Sequence, residues 1–189
     1  MKTKSKNVTL RKRLRIDTAE AHERIDKLAS QLDLSNEEDL ISFLSAQLES
    51  HQRLLECLSQ KAKWLKRRII LIKSDLRELG AKVLPVSDSP VVGHINPLAL
   101  AYVICGSYLG SKVLRKTLML STSERVHNAS SFLKDDVPAE QWSMLIKTLE
   151  NLPADGLEAE DIIDSANRCF SVFELAFDRV ISRESKAYA

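Results

Sequence analysis

The stretch "TAEAHERIDKLASQL", residues 18–32, decides the fold class. With Leu14 at the centre of a helical wheel, Ala21, Ile25, Leu28 and Leu32 all fall within about 40° of it, the width of a stripe that buries itself against a core. This spacing predicts an amphipathic helix running from about residue 9 to 31. His22 stands off the stripe, about 80° from its centre, with Thr18 and Ala29 on one side and Arg15 on the other. Such an imidazole is either a hydrogen-bonded boundary residue or one placed to hold a ligand.

The helical period continues along the chain. The 189 residues are 44% hydrophobic and 29% charged, which suits one soluble domain with a sizeable core and excludes general disorder. Glycine and proline are scarce, and no Val/Ile/Thr stretch alternates for long. The expectation is a single all-α, multi-helix domain over residues 9–183, between a flexible basic N-terminus (1–8) and a C-terminal tail (184–189).

Ser35 followed by Glu38 reads as a capping box opening a second helix through "EEDLISFLSAQLESHQRLLECL". A third, about 61–79, contains "KWLKRRIILIKSDLREL" and stops at Gly80, a C′ glycine. "GAKVLPVSDSPVVGHIN", 80–96, predicts the one long loop. Asn96 and Pro97 form an N-cap and N1 pair starting a fourth helix to about 120. Shorter helices are expected at 122–134 and 138–150, and a last long one from 155 to about 182.

A formal net charge of +2 gives no case for nucleic acid or a membrane surface. The basic opening "MKTKSKNVTLRKRLR" has no apolar core of the signal-peptide kind. The longest apolar run, "PLALAYVICG" at 97–106, is too short for a bilayer span. Cys57, Cys105 and Cys169 have no metal-ligand spacing and read as buried free thiols in a reducing cytoplasm. These features predict a soluble cytoplasmic protein.

In "AYVICGSYLGSKVL", 101–114, Gly106 and Gly110 stack on one helix face. Each glycine costs roughly 1 kcal/mol against alanine, so something gains from the missing side chains. Ser107 and Ser111 extend the strip of small residues. One explanation is close helix packing or a bend; the other is a flat ligand lying against exposed backbone. Around His22, Thr18 and Ala29 leave space for a ring-shaped ligand, and Arg11 and Arg15 extend the stripe where they could meet carboxylates at its edge. A histidine helix facing a glycine helix would make a haem sandwich.

Other candidates carry less. Glu124 and His127 have E-x-x-H spacing, but a di-iron bundle needs two such motifs, so they read as a solvated face. His51 and His94 have no evident partners. The run Lys66, Arg67 and Arg68 reads as a wet helix face or a docking patch for an acidic protein.

These segments together resemble the haem oxygenase family, especially the bacterial branch that supplies biliverdin to phytochromes. "LRKRLRIDTAEAHERIDKL" is similar to that family's first helix, with His22 in the place of the proximal haem ligand. "ALAYVICGSYLGSKVL" is similar to the distal helix, whose glycines lie over the haem. "SSFLKDDVPAEQWSMLIKTL" and "ANRCFSVFELAF" follow in the family's order.

The resemblance implies a haem oxygenase-like bundle with haem between the first helix and a glycine-kinked distal helix. It implies iron ligation by His22, a distal wall of Gly106 and Gly110, propionate binding at Arg15, and a pocket wall at Phe170. The activity implied is opening of haem, both substrate and cofactor, to biliverdin, carbon monoxide and iron. That reaction takes dioxygen and electrons from a ferredoxin, flavodoxin or reductase, and a phytochrome is an implied recipient of biliverdin.

Two positions depart from the pattern. Ser107 stands where mammalian-type members carry aspartate, and Ser111 where a second glycine is common, so Ser111 is expected to narrow the pocket. Three rival expectations follow: a non-catalytic haem-binding or haem-sensing protein, a helical interaction module without haem, and a thiaminase-like member of the same architecture.

Overall fold

The computed structural model describes residues 8–57, 62–82 and 93–187. Among them the chain forms helices and no strand, in the order α1 (Leu10–Asp17), α2 (Ala19–Ala29), α3 (Glu37–Cys57), α4 (Lys63–Glu78), α5 (Pro97–Leu118), α6 (Glu124–Asn128), α7 (Ser131–Lys134), α8 (Ala139–Asn151) and α9 (Leu157–Ala187). The all-α expectation holds. The long α9 is the axis of the fold and packs against α1, α2, α3 and α5.

Two apolar clusters fill the interior. One joins Leu10, Leu14, Tyr108, Leu145 and Phe170, tying α1, α5, α8 and α9 together. The other joins Phe43, Ile72, Phe132 and Phe177 across α3, α4, α7 and α9. Burial of the latter three elements' shared face explains why the short α7 persists, since four residues could not hold a helix alone.

The first expected helix is two. Thr18 leaves helical geometry (φ −109°, ψ 0°), and its hydroxyl donates to the Leu14 carbonyl at 2.7 Å, beside the bond from Thr18 N to the same carbonyl at 3.0 Å. The short hydroxyl offers the chain an alternative partner, as Ser and Thr do inside helices. The chain therefore bends just before His22.

The capping box at Ser35 does not form as expected. Asn36 caps α3 instead, its Oδ1 accepting from Glu38 N at 2.8 Å, while Ser35 Oγ donates to Asp33. Gly80 does end α4. At φ +68° it lets Gly80 N reach Arg77 O and Ala81 N reach Leu76 O, the paired bonds of a Schellman turn. Residue 61 and most of the expected loop, 83–92, lie outside the described residues. The stretch 122–134 breaks into α6 and α7 because the Asp75 carboxylate, from α4, accepts from Ser131 N and Phe132 N and starts a new helix there.

Asn96 caps α5 through Leu98 N, with Pro97 behind it, as the sequence predicts. The helix runs unbroken through both glycines. It is 22 residues long, with a mean hydropathy of 1.3 over its 18-residue window, enough by length and composition to cross a membrane. The 97–106 run is thus the start of a longer apolar helix than its own length suggested. In the fold α5 packs against α7, α8 and α9. The last helix extends to Ala187, past the expected end.

Candidate functional site

The bend at Thr18 aims the two halves of the first helical segment differently. Leu10 and Leu14 anchor α1 in the core, and Arg13 ties it to the α8–α9 connection by donating to Ala154 O at 2.9 Å and pairing with Glu160 at 2.7 Å. Beyond the bend, Ala21 is buried while His22 is turned outward, its side chain 58% exposed.

His22 is nevertheless held. Its Nδ1 lies 2.9 Å from Oδ2 of Asp26, one turn later on α2. Its ring meets the buried Phe170 of α9 edge-on, with centroids 5.7 Å apart and planes at 74°. The Asp26 carboxylate therefore sits beside Nδ1, the ring nitrogen opposite the one that would face a metal bound through Nε2. A carboxylate behind a histidine is how metal-ligating imidazoles are oriented and made more basic.

The glycine strip on α5 is uncovered. A Cβ built on Gly106 or Gly110 meets nothing within 4 Å, and Leu109 and Val113 beside them are exposed. Close helix packing, one of the two explanations for the strip, is overturned by that geometry. The strip presents backbone and apolar side chains to open space.

Ser111 does not extend that opening. Ser111 is buried and donates to the Ser107 carbonyl at 3.1 Å, and Ser107 donates to the Ile104 carbonyl at 2.7 Å. Ser111 faces the core, so the expected narrowing of a pocket on the glycine side finds no support in its placement.

Tyr102 stands one turn before Gly106 on the same face of α5. It is partly buried, its hydroxyl interacting with Thr18 in the field of Arg11 and Arg15. Burial pushes its pKa up; the Thr18 contact and the two guanidinium groups pull it back. Tyr102 thus links α5 to the elbow from which His22 projects. His22 and Gly106 each lie one helical turn beyond the linked residues. Arg15 is exposed, while Arg11 also pairs with Glu150 of α8 at 2.6 Å. Thr18 is buried rather than lining free space.

Two contributors were missed in the sequence reading. Asp26 was legible as the residue four after His22, the spacing at which helical side chains meet. Tyr102 had no local signal, because its contacts come from a distant helix.

The remaining candidates are placed differently from expectation. His51 is fully buried, with Nδ1 donating to Gln47 O at 2.7 Å and Nε2 accepting from Arg68 Nε at 3.1 Å. Burial first, then the Arg68 charge, lowers its pKa to about 3. Arg68, expected on a wet face, is only 1% exposed, its guanidinium 4.1 Å from the Tyr108 ring centroid and 4.3 Å from that of Phe132. Burial lowers its pKa. Lys66 and Arg67 are exposed as expected.

His94 is exposed, 4.0 Å from Asp161. Glu124 is exposed, but His127 is half-buried with Nε2 lacking a partner. The three cysteines are free; Cys169 is buried, which drives its pKa up to about 12, and Cys57 and Cys105 are half-buried. Among the described residues no group of three or more His, Cys, Asp or Glu could hold a metal ion. A haem iron asks for one protein ligand, with the porphyrin supplying four, and His22 with its Asp26 support meets that requirement. No family model and no curated protein matches the chain.

Proposed function

We propose that the chain is a haem oxygenase that opens haem to biliverdin, carbon monoxide and iron. The observation that carries this reading is the glycine strip of α5, a flat backbone wall that no other described helix occupies. Haem, when bound, supplies the iron and the ring that dioxygen attacks, with electrons from a ferredoxin, flavodoxin or reductase.

The chain's own residues have distinct parts in this. His22 would hold the iron through Nε2, with the Asp26 carboxylate beside Nδ1 to orient the ring. Phe170 limits rotation of the imidazole. Gly106 and Gly110 let a planar substrate approach the backbone of α5, with Leu109 and Val113 as apolar contacts. Arg11, Arg15 and Tyr102 offer donors to carboxylates at the substrate's edge. Ser107 Oγ, whose proton goes to Ile104 O, retains lone pairs that can accept from a water near the strip. The three free thiols suit a reducing cytoplasm.

Binding without turnover is a second reading, favoured by that same Ser107 hydrogen bond, which commits its hydroxyl proton to the backbone. A haemin titration of the apoprotein, followed by reductant with catalase present, separates the two. A one-to-one Soret complex lost in His22→Ala, then replaced on reduction by biliverdin absorption, supports the enzyme. A Soret band stable through reduction supports a binding or sensing protein. Absence of any complex overturns both.

A further inference from the structure

A cavity of about 410 Å³ opens between α4, α5 and α8, on a different face of α5 from the glycine strip. Its volume lies within the roughly 300–1,000 Å³ of small-molecule sites. Trp64 of α4, Cys105 and Tyr108 of α5, Val137 before α8 and Leu145 on it give a largely apolar wall. It shares no residue with the His22 site.

The charged groups on the lining are Arg67, Asp135 and Asp136, one cation against two carboxylates. Asp135 is the most buried of the three, its side chain 3% exposed. Nε and Nη2 of Arg67 both stand 3.0 Å from its Oδ1. Its Oδ2 accepts only from Tyr108 Oη, at 3.2 Å, among the described residues. An ionised carboxylate has about four acceptor sites, so Oδ2 keeps capacity for a further donor.

Two more cations stand near the carboxylates without lining the cavity. Arg68, whose charge Asp135 also feels, is stacked on Tyr108 and Phe132 with its Nε donating to His51. Lys112 reaches Asp136 at 3.5 Å with its side chain 65% exposed, where water weakens the pair. The wall that a ligand touches therefore carries one more negative charge than positive.

We propose that this cavity binds a small aromatic monocation, its ring on Trp64 and the apolar wall and its ammonium donating to Asp135 Oδ2. One added positive charge brings the lining to neutrality. The aromatic wall favours a ring, and a carboxylate held out of water attracts an entering charge more strongly than an exposed one. The proposal does not rest on the haem reading.

The test is calorimetric titration of the full chain with 1-naphthylmethylammonium, alongside its anionic counterpart 1-naphthoate and the neutral 1-naphthalenemethanol. The expected result is one-to-one binding of the ammonium, at least tenfold tighter than either counterpart and unaffected by saturating haemin. Asp136→Lys, at an exposed position, should weaken the ammonium at least tenfold. Ala101→Trp, which fills the cavity from α5, should abolish binding while helical circular dichroism is unchanged. No binding of the ammonium, equal affinity for either counterpart, displacement by haemin, or full affinity in both variants would each overturn the proposal.

Discussion

Nδ1 of His22 lies 2.9 Å from Oδ2 of Asp26 on a half-exposed face of α2. A surface pair of this kind adds little to stability, typically well under 1 kcal/mol. Its consequence is positional: the carboxylate stands beside the ring nitrogen opposite the one that would hold iron. Asp26→Ala is expected to lower haemin affinity about 10- to 100-fold, the usual cost of losing a metal ligand's outer partner. His22→Ala should abolish the Soret complex. Thermal melts of both variants should stay within a few degrees of the parent, since both side chains face solvent.

Gly106 offers a test in which stability and binding part ways. Its added Cβ meets nothing, so Gly106→Ala should raise stability by about 1 kcal/mol through helix propensity alone. Gly106→Leu should fold equally well and lose haemin affinity at least tenfold, because its side chain occupies the wall. Denaturant midpoints and haemin titrations on the same samples check both. A Leu variant that binds haemin normally would remove the strip from the site.

His51 imposes a pH dependence. Its folded pKa is near 3 against an ordinary value of 6.5. Between those values the unfolded chain takes up a proton that the folded chain refuses, so stability falls as pH falls. The slope from this residue is about 1.4 kcal/mol per pH unit below 6.5, and it vanishes above. His51→Gln, which retains an acceptor for Arg68, should flatten the decline by about one proton in urea unfolding measured from pH 7 to 4.5.

Arg68→Met tests the buried guanidinium. The change leaves His51 Nε2 without its donor and Asp135 without one of its two cations, in a site where apolar replacement restores only the stacking on Tyr108 and Phe132. Removing one partner of such a cluster costs about 3–5 kcal/mol. Chemical denaturation should show that loss, together with a fall in the pH dependence attributed to His51.

The sequence carried the helices whose signals are local. Asn96 and Pro97 start α5 because a cap and a proline act within one turn, and Gly80 ends α4 because few other residues accept a positive φ there. Where the reading failed, a distant group intervened. Asp75 of α4 starts α7 inside the expected 122–134 helix. Asn36 won the cap of α3 over Ser35, a competition between adjacent polar side chains that composition does not decide. Arg68, next to two exposed basic residues, looked solvated until Tyr108 and Phe132 closed over it.

What the sequence by itself determined was the all-α class, most helix bounds and the candidate pair of His22 with the glycine strip, because helical periodicity and caps are encoded over a few residues. The tertiary structure alone decided that Gly106 and Gly110 face no other described helix, that Thr18 bends the chain ahead of His22, and that Tyr102 meets that bend. Spacing along one helix says which side chains share a face. It cannot say what lies opposite, because that is set by how distant segments pack.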